Sequence, residues 1–294
     1  MHTTAEATKT WTILSLIEWG AHYLKERGFE DARLNIELLL SHILHLKRIA
    51  LYTNFDRPLT AAELGKFKSV LQRRLNHEPV QYIIGETEFM GIPLYVDPSV
   101  LIPRPETEEL VERALDWIKR LDLPWVEVLD IGTGSGNIPI ALERFSSTAH
   151  ITSIDVSAEA LEVASRNVER HNSSRVTLQQ LDVFTEIFPG RNFNVIIANP
   201  PYISAGEFQQ LGPEVKDFEP PLATTDNGDG YRFLRRICEV AAKKLTAGGL
   251  LFMEVAYNQG VEARRIAAEA GLTDVEVFTD VAGNERMLQG RRAA

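Results

Sequence analysis

In the first eighty residues, apolar positions recur at the three- to four-residue spacing of amphipathic α-helices. Three segments have this pattern, and they begin at Trp11, Asp31 and Thr60. Asp31 is placed to cap its helix, and Thr60 with Glu63 forms a predicted capping box. The first of the three segments stops at Gly28. We therefore predict a small helical bundle over residues 1–80.

From Pro79 onward the pattern changes, because aromatic and β-branched residues alternate with Gly and Pro. This composition favours short strands and tight turns. A turn is predicted at Gly91, and the short strands are predicted at Tyr82–Ile84, Glu88–Met90 and Leu94–Val96. The sequence thus predicts a β-hairpin linker over residues 81–102.

Beyond residue 103, strand and helix patterns alternate, which predicts a mainly parallel sheet with helices on both faces. After a first helix with an apolar side from Leu110 to Ile118, six strands are predicted: Val126–Leu129, Ile151–Ile154, Val176–Gln179, Asn194–Ala198, Leu250–Val255 and Val275–Phe278. The helices expected between them are Ala158–Arg170, Tyr231–Lys244 and Val261–Ala270. In an α/β sheet of this kind, ligands bind beyond the carboxyl ends of the strands.

Charge is unevenly distributed along the chain. The net charge is −10, yet residues 1–85 carry 11 Lys and Arg against 9 Asp and Glu. The acidic balance therefore lies in the remainder of the chain, which argues against binding nucleic acid through its phosphates. An acidic body is compatible with a cationic cofactor or a basic protein partner.

Three features of the sequence bear on the compartment, and the first of them, the cysteine content, indicates a reducing one. The single cysteine, Cys238, excludes an intramolecular disulfide. No apolar run approaches the roughly 20 residues of a membrane span, and the first residues lack the layout of a signal peptide. We expect a cytoplasmic protein.

The first predicted strand of the sheet ends in a glycine-rich loop, VLDIGTGSGN. Its three glycines, Gly132, Gly134 and Gly136, allow tight turning and close approach of the backbone to a ligand. The spacing differs from the dinucleotide-binding fingerprint, whose last glycine would fall on Asn137. Taken singly, the loop is as consistent with a plain strand-to-helix turn as with a ligand site.

Acidic residues end the next two predicted strands. Asp155 follows the glycine loop by about twenty residues, where a carboxylate can accept the ribose hydroxyls of an adenosine. Ser157 is better placed than Asp155 to cap the next helix. Asp182 can accept the exocyclic amine of adenine, with Phe184 nearby to pack on the ring. Ligand-binding features at three successive strand ends favour a nucleoside cofactor over three unrelated loops.

This arrangement resembles the class I S-adenosylmethionine-dependent methyltransferases. The resemblance implies a Rossmann-like α/β sheet, mostly parallel, whose last strand is antiparallel and corresponds to ERMLQGRR. It implies S-adenosyl-L-methionine as the cofactor and no metal. The implied contacts are Gly132, Thr133, Gly134, Ser135 and Gly136 on the methionine and ribose side, Asp155 at the ribose, and Asp182, Val183 and Phe184 at the adenine.

The fourth predicted strand of the sheet stops at Asn199-Pro200-Pro201-Tyr202, since neither proline can donate a backbone hydrogen bond. In methyltransferases this motif marks transfer to a planar nitrogen, either an adenine amine or a carboxamide. Such a nitrogen is a poor nucleophile because its lone pair is delocalised. The Asn199 side-chain oxygen and the Pro200 carbonyl can each accept one of its N–H groups, which stabilises the developing charge and aligns the lone pair.

These considerations predict Asn199, Pro200 and Tyr202 as the catalytic residues, with the Tyr202 ring as a wall for the planar group. Pro201 is predicted to line the same substrate site, and Asn199 to contact the cofactor as well. The alternative for the motif alone is a turn that ends a strand and binds nothing.

The segment from Glu78 to Glu112, which includes LIPRPETEEL, distinguishes a carboxamide from adenine. Together with NPPYI, it resembles the PrmC/HemK family, the glutamine N5-methyltransferases of class 1 peptide chain release factors, over almost the whole chain. The resemblance implies that residues 1–80 dock the release factor and that residues 103–294 form the methyltransferase domain. It implies S-adenosyl-L-homocysteine as the second product and a glutamine pocket that includes Ile102, Arg104 and Glu106.

Three alternatives remain at this point. A sister family methylates a glutamine of a large-subunit ribosomal protein, but it has V-P-R-S-P-I where this chain has residues 102–107. A DNA adenine N6-methyltransferase would need a basic DNA-facing surface and a target-recognition domain. A non-catalytic cofactor-binding module would have a damaged acceptor motif, whereas Asn-Pro-Pro-Tyr is intact. We expect a monomer that acts on neither nucleic acid nor membranes.

Three segments depart from the family pattern, and one of them, FMEVAYNQG, has Ala256 where a glycine is common. After FEPPLA, the usual pair of glycines is replaced by Asp226-Asn227, although Asp229-Gly230 is retained. We therefore expect a different loop shape there and the same reaction. At the adenine position, the family usually has a bulky aromatic residue directly after the acidic one. Here Val183 follows Asp182, and the aromatic residue, Phe184, comes one position later.

Overall fold

The computed structural model describes residues 10–185 and 191–293, which form two compact units that divide between Gly85 and Glu86. The first nine residues of the predicted helical domain lie outside the described part. The predicted bounds at residues 80 and 102 stay predictions. None of the helices in the described ranges combines the length and apolar composition that crossing a membrane requires.

The first unit is helical, as its apolar spacing predicted. Thr60 and Glu63 form the predicted capping box, in which each side chain accepts from the other residue's backbone N–H. Asp31 does precede a helix, but its side chain makes no capping hydrogen bond, so that part of the prediction is wrong. The helices are α1 (Ile13–Lys25), α2 (Ala32–Leu44), α3 (Arg48–Thr53), α4 (Ala61–Leu75) and α5 (Val80–Ile84).

The strand predicted at Tyr82–Ile84 is wrong, because these residues lie in α5. The helix begins after Pro79, whose fixed φ suits a helix start, and ends at Gly85 with φ of 76°. The second unit opens with the predicted hairpin around Gly91, formed by β1 (Glu86–Phe89) and β2 (Ile92–Tyr95).

The rest of the second unit confirms the predicted α/β fold. Its elements are α6 (Pro105–Arg120), β3 (Val126–Ile131), α7 (Asn137–Phe145), β4 (Ala149–Asp155), α8 (Ala158–His171), β5 (Val176–Gln180), β6 (Phe193–Ala198), α9 (Ala205–Phe208), α10 (Pro213–Phe218), α11 (Pro221–Thr224), α12 (Arg232–Lys244), β7 (Leu245–Glu254), α13 (Gly260–Glu269), β8 (Leu272–Thr279) and β9 (Glu285–Arg292).

The seven strands follow the order β5-β4-β3-β6-β7-β9-β8. The first five are parallel, and β9 is antiparallel to both of its neighbours, β7 and β8. The predicted antiparallel last strand, ERMLQGRR, therefore coincides with β9.

Apolar residues cover both faces of this sheet, because successive side chains of a strand point to opposite sides. On β3, Leu129 and Ile131 belong to a core with α12 and α13, whereas Val126 and Val128 belong to a core with α6 and α7. Helices on both faces leave the carboxyl ends of the strands open for a site.

Candidate active site

The site lies where the chain reverses direction across the sheet. From β3 the chain runs outward through β4 and β5, and then returns to β6 on the other side of β3. The adjacent ends of β3 and β6 form the topological switch point, where α/β sheets bind ligands. A cavity of about 260 Å³ opens there. Of the predicted site residues, its lining includes Arg104, Gly132, Thr133, Gly134, Ser135, Asp155, Asp182, Val183, Phe184, Asn199, Pro200 and Pro201.

The glycine loop turns directly off the end of β3. The backbone N–H groups of Gly132 and Thr133 both donate to the carbonyl of Ile154, at 2.8 and 3.1 Å, which ties the loop to β4. Gly134 has φ of 52°, a left-handed conformation that favours glycine. Its N–H donates to Oδ2 of Asp155 at 3.0 Å. Gly136 ends the loop and does not line the cavity.

Asp155 lies at the end of β4, facing the cavity. Its second carboxylate oxygen accepts from the Ser157 backbone N–H at 3.0 Å. Burial raises the pKa of Asp155, and these backbone donors oppose that effect. Ser157 caps α8 by accepting from the Ala160 N–H at 3.0 Å, as predicted. Asp155 is therefore not needed as the cap, and each of its oxygens has a further lone pair for a ligand.

The three residues predicted at the adenine lie on one wall of the cavity. Asp182 Oδ1 accepts from the Phe184 backbone N–H at 2.9 Å, and Val183 is buried. The Phe184 ring meets the Phe233 ring edge-on at 5.2 Å, and the Arg232 guanidinium lies 4.3 Å from the Phe184 centroid. The structure thus brings these residues to the same cavity as the glycine loop.

Below the glycine loop lies a buried carboxyl group, Asp130. Its Oδ2 accepts from the Ser153 hydroxyl, which also hydrogen-bonds to the Thr133 hydroxyl. Its Oδ1 has no hydrogen-bond partner among the described residues. Burial raises the pKa of Asp130 to about 7, and the neighbouring charge of Asp155 adds to that rise.

Asn199 to Tyr202, hereafter the acceptor turn, follow β6. The Asn199 side-chain NH₂ donates to the Thr107 hydroxyl at 2.9 Å, so its carbonyl oxygen is on the other side of the amide. Within residues 10–185 and 191–293, no donor is hydrogen-bonded to Asn199 Oδ1 or to the Pro200 carbonyl. Both atoms belong to residues that line the cavity, as two acceptors for a ligand.

The Tyr202 side chain does not line the cavity. Its hydroxyl donates to Oε1 of the buried Glu254 at 3.1 Å. Burial and the negative charge of Glu254 raise the pKa of Tyr202, so the hydroxyl stays protonated. The contact of this ring with a substrate stays a prediction.

The segment before α6 contributes several residues to the cavity lining, namely Ser99, Val100, Leu101, Pro103 and Arg104. Of the predicted site residues in this segment, only Arg104 is among them. The guanidinium contacts both carboxylate oxygens of Glu219, at 2.6 and 2.7 Å. Burial raises the pKa of Glu219, whereas the charge of Arg104 lowers it. Ile102 is buried, Glu106 is half-buried, and neither lines the cavity. Their predicted role in the glutamine pocket stays a prediction.

The loop that departs from the family pattern is organised by Asp226. Its carboxylate accepts from the backbone N–H groups of Gly228, Gly230 and Arg232, at 2.7, 2.9 and 3.1 Å. The loop adjoins the acceptor turn through Gln259, whose NH₂ donates to the carbonyls of Tyr202 and Gly230. A carboxylate thus provides the local order that a pair of glycines cannot supply.

Comparison with known proteins connects this geometry to a family. Residues 15–85 match the PrmC N-terminal domain, and residues 117–212 match the methyltransferase small domain. A release factor glutamine methyltransferase of Rhodopirellula baltica is 39% identical over 287 residues, which cover 96% of this chain and 97% of that one. Its counterpart in Geobacter sulfurreducens is 40% identical over 286 residues, which cover 97% and 99%.

The chain belongs to the release factor glutamine methyltransferase family. The resemblance to PrmC/HemK proteins, predicted from NPPYI and LIPRPETEEL, is confirmed. Among solved structures, a methyltransferase from Pyrococcus furiosus matches with a TM-score of 0.52 at 20% identity, covering 70% of this chain and 91% of that one. This likeness supports the class I fold.

Several residues of the site in this family member were not predicted from the sequence. Thr107 and Glu254 hydrogen-bond behind the acceptor turn, and Asp226 and Gln259 support it from the side. Asp130 lies two residues before Gly132 of the glycine loop. Its position in the sequence did not indicate that its side chain is fully buried. For Asp226, the Thr-Asp-Asn-Gly composition was a turn signal that could have been used.

Proposed function

We propose that this protein transfers a methyl group to the side-chain amide nitrogen of the glutamine in the Gly-Gly-Gln loop of class 1 peptide chain release factors. The observation that supports this most directly is the pair of acceptors, Asn199 Oδ1 and the Pro200 carbonyl, in residues that line the cavity. A primary carboxamide has two N–H donors, so it can donate one to each oxygen. The relatives that match nearly the whole chain are named for this substrate.

The cavity residues fit S-adenosyl-L-methionine. The glycine loop exposes backbone beside the cavity, Asp155 has lone pairs for ribose hydroxyls, and Asp182 with Phe184 provides a polar and an apolar contact for adenine. When bound there, this cofactor supplies the methyl group and leaves as S-adenosyl-L-homocysteine. Asn199 lies beside the glycine loop, since a Cβ on Gly132 would lie 3.8 Å from the Asn199 carbonyl oxygen.

The acceptor turn contains the residues that assist attack by the substrate nitrogen. An amide nitrogen is a weak nucleophile, because its lone pair is shared with the carbonyl. Positive charge develops on the nitrogen as the new N–C bond forms and the methyl–sulfur bond breaks, and two fixed oxygens stabilise that charge without reorganising. The methylated nitrogen then releases one N–H proton to water, which leaves a neutral N-methyl amide. The same two hydrogen bonds hold the plane of the amide and direct the lone pair. Pro200 and Pro201 restrict the backbone that carries both acceptors.

The first unit is proposed to dock the body of the release factor. Two apolar side chains on or near α3 are well exposed: Ile49 is 72% accessible and Phe55 is 50% accessible. Exposed apolar groups of this kind are typical of protein interaction sites. A release factor substrate also supports the expected cytoplasmic location.

The experiment follows the transfer of labelled methyl groups to each candidate substrate. The protein is incubated with methyl-labelled S-adenosylmethionine and, in separate reactions, release factor, large-subunit ribosomal proteins or duplex DNA. We expect label in the release factor alone, and none in a release factor whose Gly-Gly-Gln glutamine is replaced by glutamate. Label that appears only in ribosomal protein or in DNA would overturn the proposal and favour the corresponding alternative.

A further inference from the structure

We propose that Thr107 and Glu254 are positioning residues that fix the Asn199 carboxamide with its oxygen directed to the substrate nitrogen. This inference rests on the proposed function, because it assigns how that site obtains its polarity. Thr107 lies in the first turn of α6, Glu254 ends β7 and Asn199 follows β6. The first turn of α6, the end of β7 and the acceptor turn therefore meet at one cluster, in which Thr107 and Glu254 are buried.

The cluster is a continuous chain of hydrogen bonds. The Asn199 NH₂ donates to Thr107 Oγ1 at 2.9 Å, and the Thr107 hydroxyl donates to Glu254 Oε2 at 2.7 Å. The Tyr202 hydroxyl donates to the other carboxylate oxygen at 3.1 Å. Thr107 is 1% accessible and Glu254 is 2% accessible, so the hydroxyl and the carboxylate are shielded from bulk water even though Thr107 lines the cavity.

The direction of this chain follows from the chemistry of a carboxylate. An ionised Glu254 has acceptors only, so the Thr107 hydroxyl must use its proton toward Glu254. The Thr107 oxygen then has only lone pairs left for Asn199. The Asn199 side chain must therefore present its NH₂ group to the Thr107 oxygen. The two orientations of a carboxamide have nearly the same shape, so the hydrogen-bond network selects between them.

The opposite orientation would be unproductive. A flipped Asn199 would present NH₂ to the substrate amide, whose nitrogen also carries N–H donors, and two donors would face each other. It would also replace an acceptor by a donor at the position where positive charge develops. The Glu254 carboxylate, although it does not line the cavity, thus acts on the substrate through Thr107 and Asn199.

A buried carboxylate has a cost that this function accounts for. Removing a charge from water is unfavourable unless hydrogen bonds and opposite charge offset it. Two hydroxyl donors and the nearby positive charge of Arg286 do so here only in part, and burial raises the pKa of Glu254. An apolar residue at the end of a buried strand would avoid the cost of burying a charge. It could not, however, set the direction of the Thr107 hydroxyl.

The test uses variants that change polarity with little change of shape. Glu254→Gln keeps the size and adds a donor, and Thr107→Val removes the hydroxyl while keeping the branched shape. Thr107→Ser restores the hydroxyl. Thr152→Val is the matched control, because Thr152 is equally buried in β4 and has no hydrogen bond to the acceptor turn. The readouts are kcat and KM for release factor, the Kd for S-adenosylmethionine, and the side-chain amide resonances of ¹⁵N-labelled Asn199.

We expect Glu254→Gln and Thr107→Val to lower kcat by about tenfold or more, less than the loss of a direct contact, with the cofactor Kd within about twofold. The Asn199 amide protons should lose their protection from solvent exchange in both. Thr107→Ser should recover most of the lost rate and protection, and Thr152→Val should match the unmodified protein.

Unchanged kcat and unchanged amide protection in Thr107→Val and Glu254→Gln would overturn the inference. So would a rate loss that Thr107→Ser fails to recover, because that pattern indicates packing alone. If Thr107→Val does not fold, Glu254→Gln decides by the same readouts. The NMR measurement needs no substrate, so an unmodified protein that fails to methylate release factor while showing the protected amide would contradict the proposed function and leave this inference standing.

Discussion

At the scale of single residues, the site depends on which atom each side chain turns toward the cavity. Asn199 is neutral and has a donor and an acceptor at opposite ends of one rigid group, and Thr107 engages the donor end. The acceptor end then serves the substrate without placing a full negative charge there. The sequence identified Asn199, whereas the partner that orients it became visible only in the fold.

Replacing Asn199 by alanine removes one of the two acceptors. We expect the transfer rate to fall by at least about a hundredfold, as for the loss of one preorganised polar contact in other active sites. The Kd for S-adenosylmethionine should change little, because the glycine loop and Asp155 remain. Single-turnover kinetics with isothermal titration of the cofactor check both. A rate within threefold of the unmodified protein would remove Asn199 from the mechanism.

The rate should also depend on the ionisation of Glu254. Burial and the neighbouring Glu106 raise the pKa of Glu254 above the ordinary 4.5, while Arg286 and the hydroxyls of Thr107 and Tyr202 lower it. The protonated carboxyl can donate to Thr107 and reverse the chain, so kcat should fall as the pH falls through this raised pKa. In Glu254→Gln that acid limb should be absent. An identical pH profile of kcat in the two proteins would contradict this assignment.

At the scale of elements, the acceptor turn is held from two sides. Thr107 and Glu254 hydrogen-bond to its side chains, and the loop from Thr225 to Tyr231 is joined to its backbone through Gln259. The carbonyl of Ile203, the residue directly after the acceptor turn, accepts two hydrogen bonds from this loop. The donors are the Asp226 N–H at 3.2 Å and the Thr225 hydroxyl at 2.7 Å. The turn is thus fixed by neighbouring backbone as well as by its own prolines.

Gly230 is a point at which this loop lies against the acceptor turn. Its φ is 85°, and a Cβ there would lie 2.8 Å from the Tyr202 carbonyl oxygen. Gly230→Ala should therefore lower the free energy of unfolding by at least about 1–2 kcal/mol, the cost of a left-handed conformation, and should also lower kcat. Urea unfolding and steady-state kinetics measure the two effects.

Gly228→Ala is the matched control for that variant. A Cβ on Gly228 would meet only the Asp226 carboxylate, at an ordinary 3.5 Å, and its backbone is not left-handed. Stability and kcat should therefore stay close to those of the unmodified protein. Equal effects of the two substitutions would show that the approach of Gly230 to the acceptor turn has no special importance.

Local sequence patterns predicted some of these elements correctly and others not. The strand ends that carry Gly132, Asp155 and Asn199 were predicted within a few residues, because buried strands are apolar runs that stop at Gly, Asp or Pro. Tyr82–Ile84 was misassigned, since three β-prone residues between Pro79 and Gly85 also fit one helical turn. Thr107 and Glu254 are 147 positions apart, and no local spacing relates them.

At the scale of the whole molecule, the two units differ in secondary structure, in charge and in surface. The first is helical, slightly basic in sequence and has exposed apolar side chains on and near α3. The second contains the cavity and most of the negative charge. Charge alone gives little guidance on how the first unit would meet its partner, so the exposed side chains are the feature to test.

Replacing Ile49 and Phe55 together by serine tests the docking role. We expect the KM for release factor to rise by about tenfold, with kcat at saturation and the cofactor Kd unchanged, because such anchors contribute about 1–2 kcal/mol to binding. Val261→Ser, at a valine of the second unit that is 78% accessible, is the matched control and should change neither constant. Equal KM values in all three proteins would place docking elsewhere.

Glutamine methylation by this protein is tested by locating the new methyl group on the substrate. Release factor is incubated with the protein and S-adenosylmethionine, digested, and sequenced by tandem mass spectrometry. We expect one added methyl group on the side-chain amide nitrogen of the Gly-Gly-Gln glutamine, and its loss when Asn199 is replaced by alanine. A methyl group on any other atom, or an unmodified glutamine under conditions where the protein binds cofactor, would contradict it.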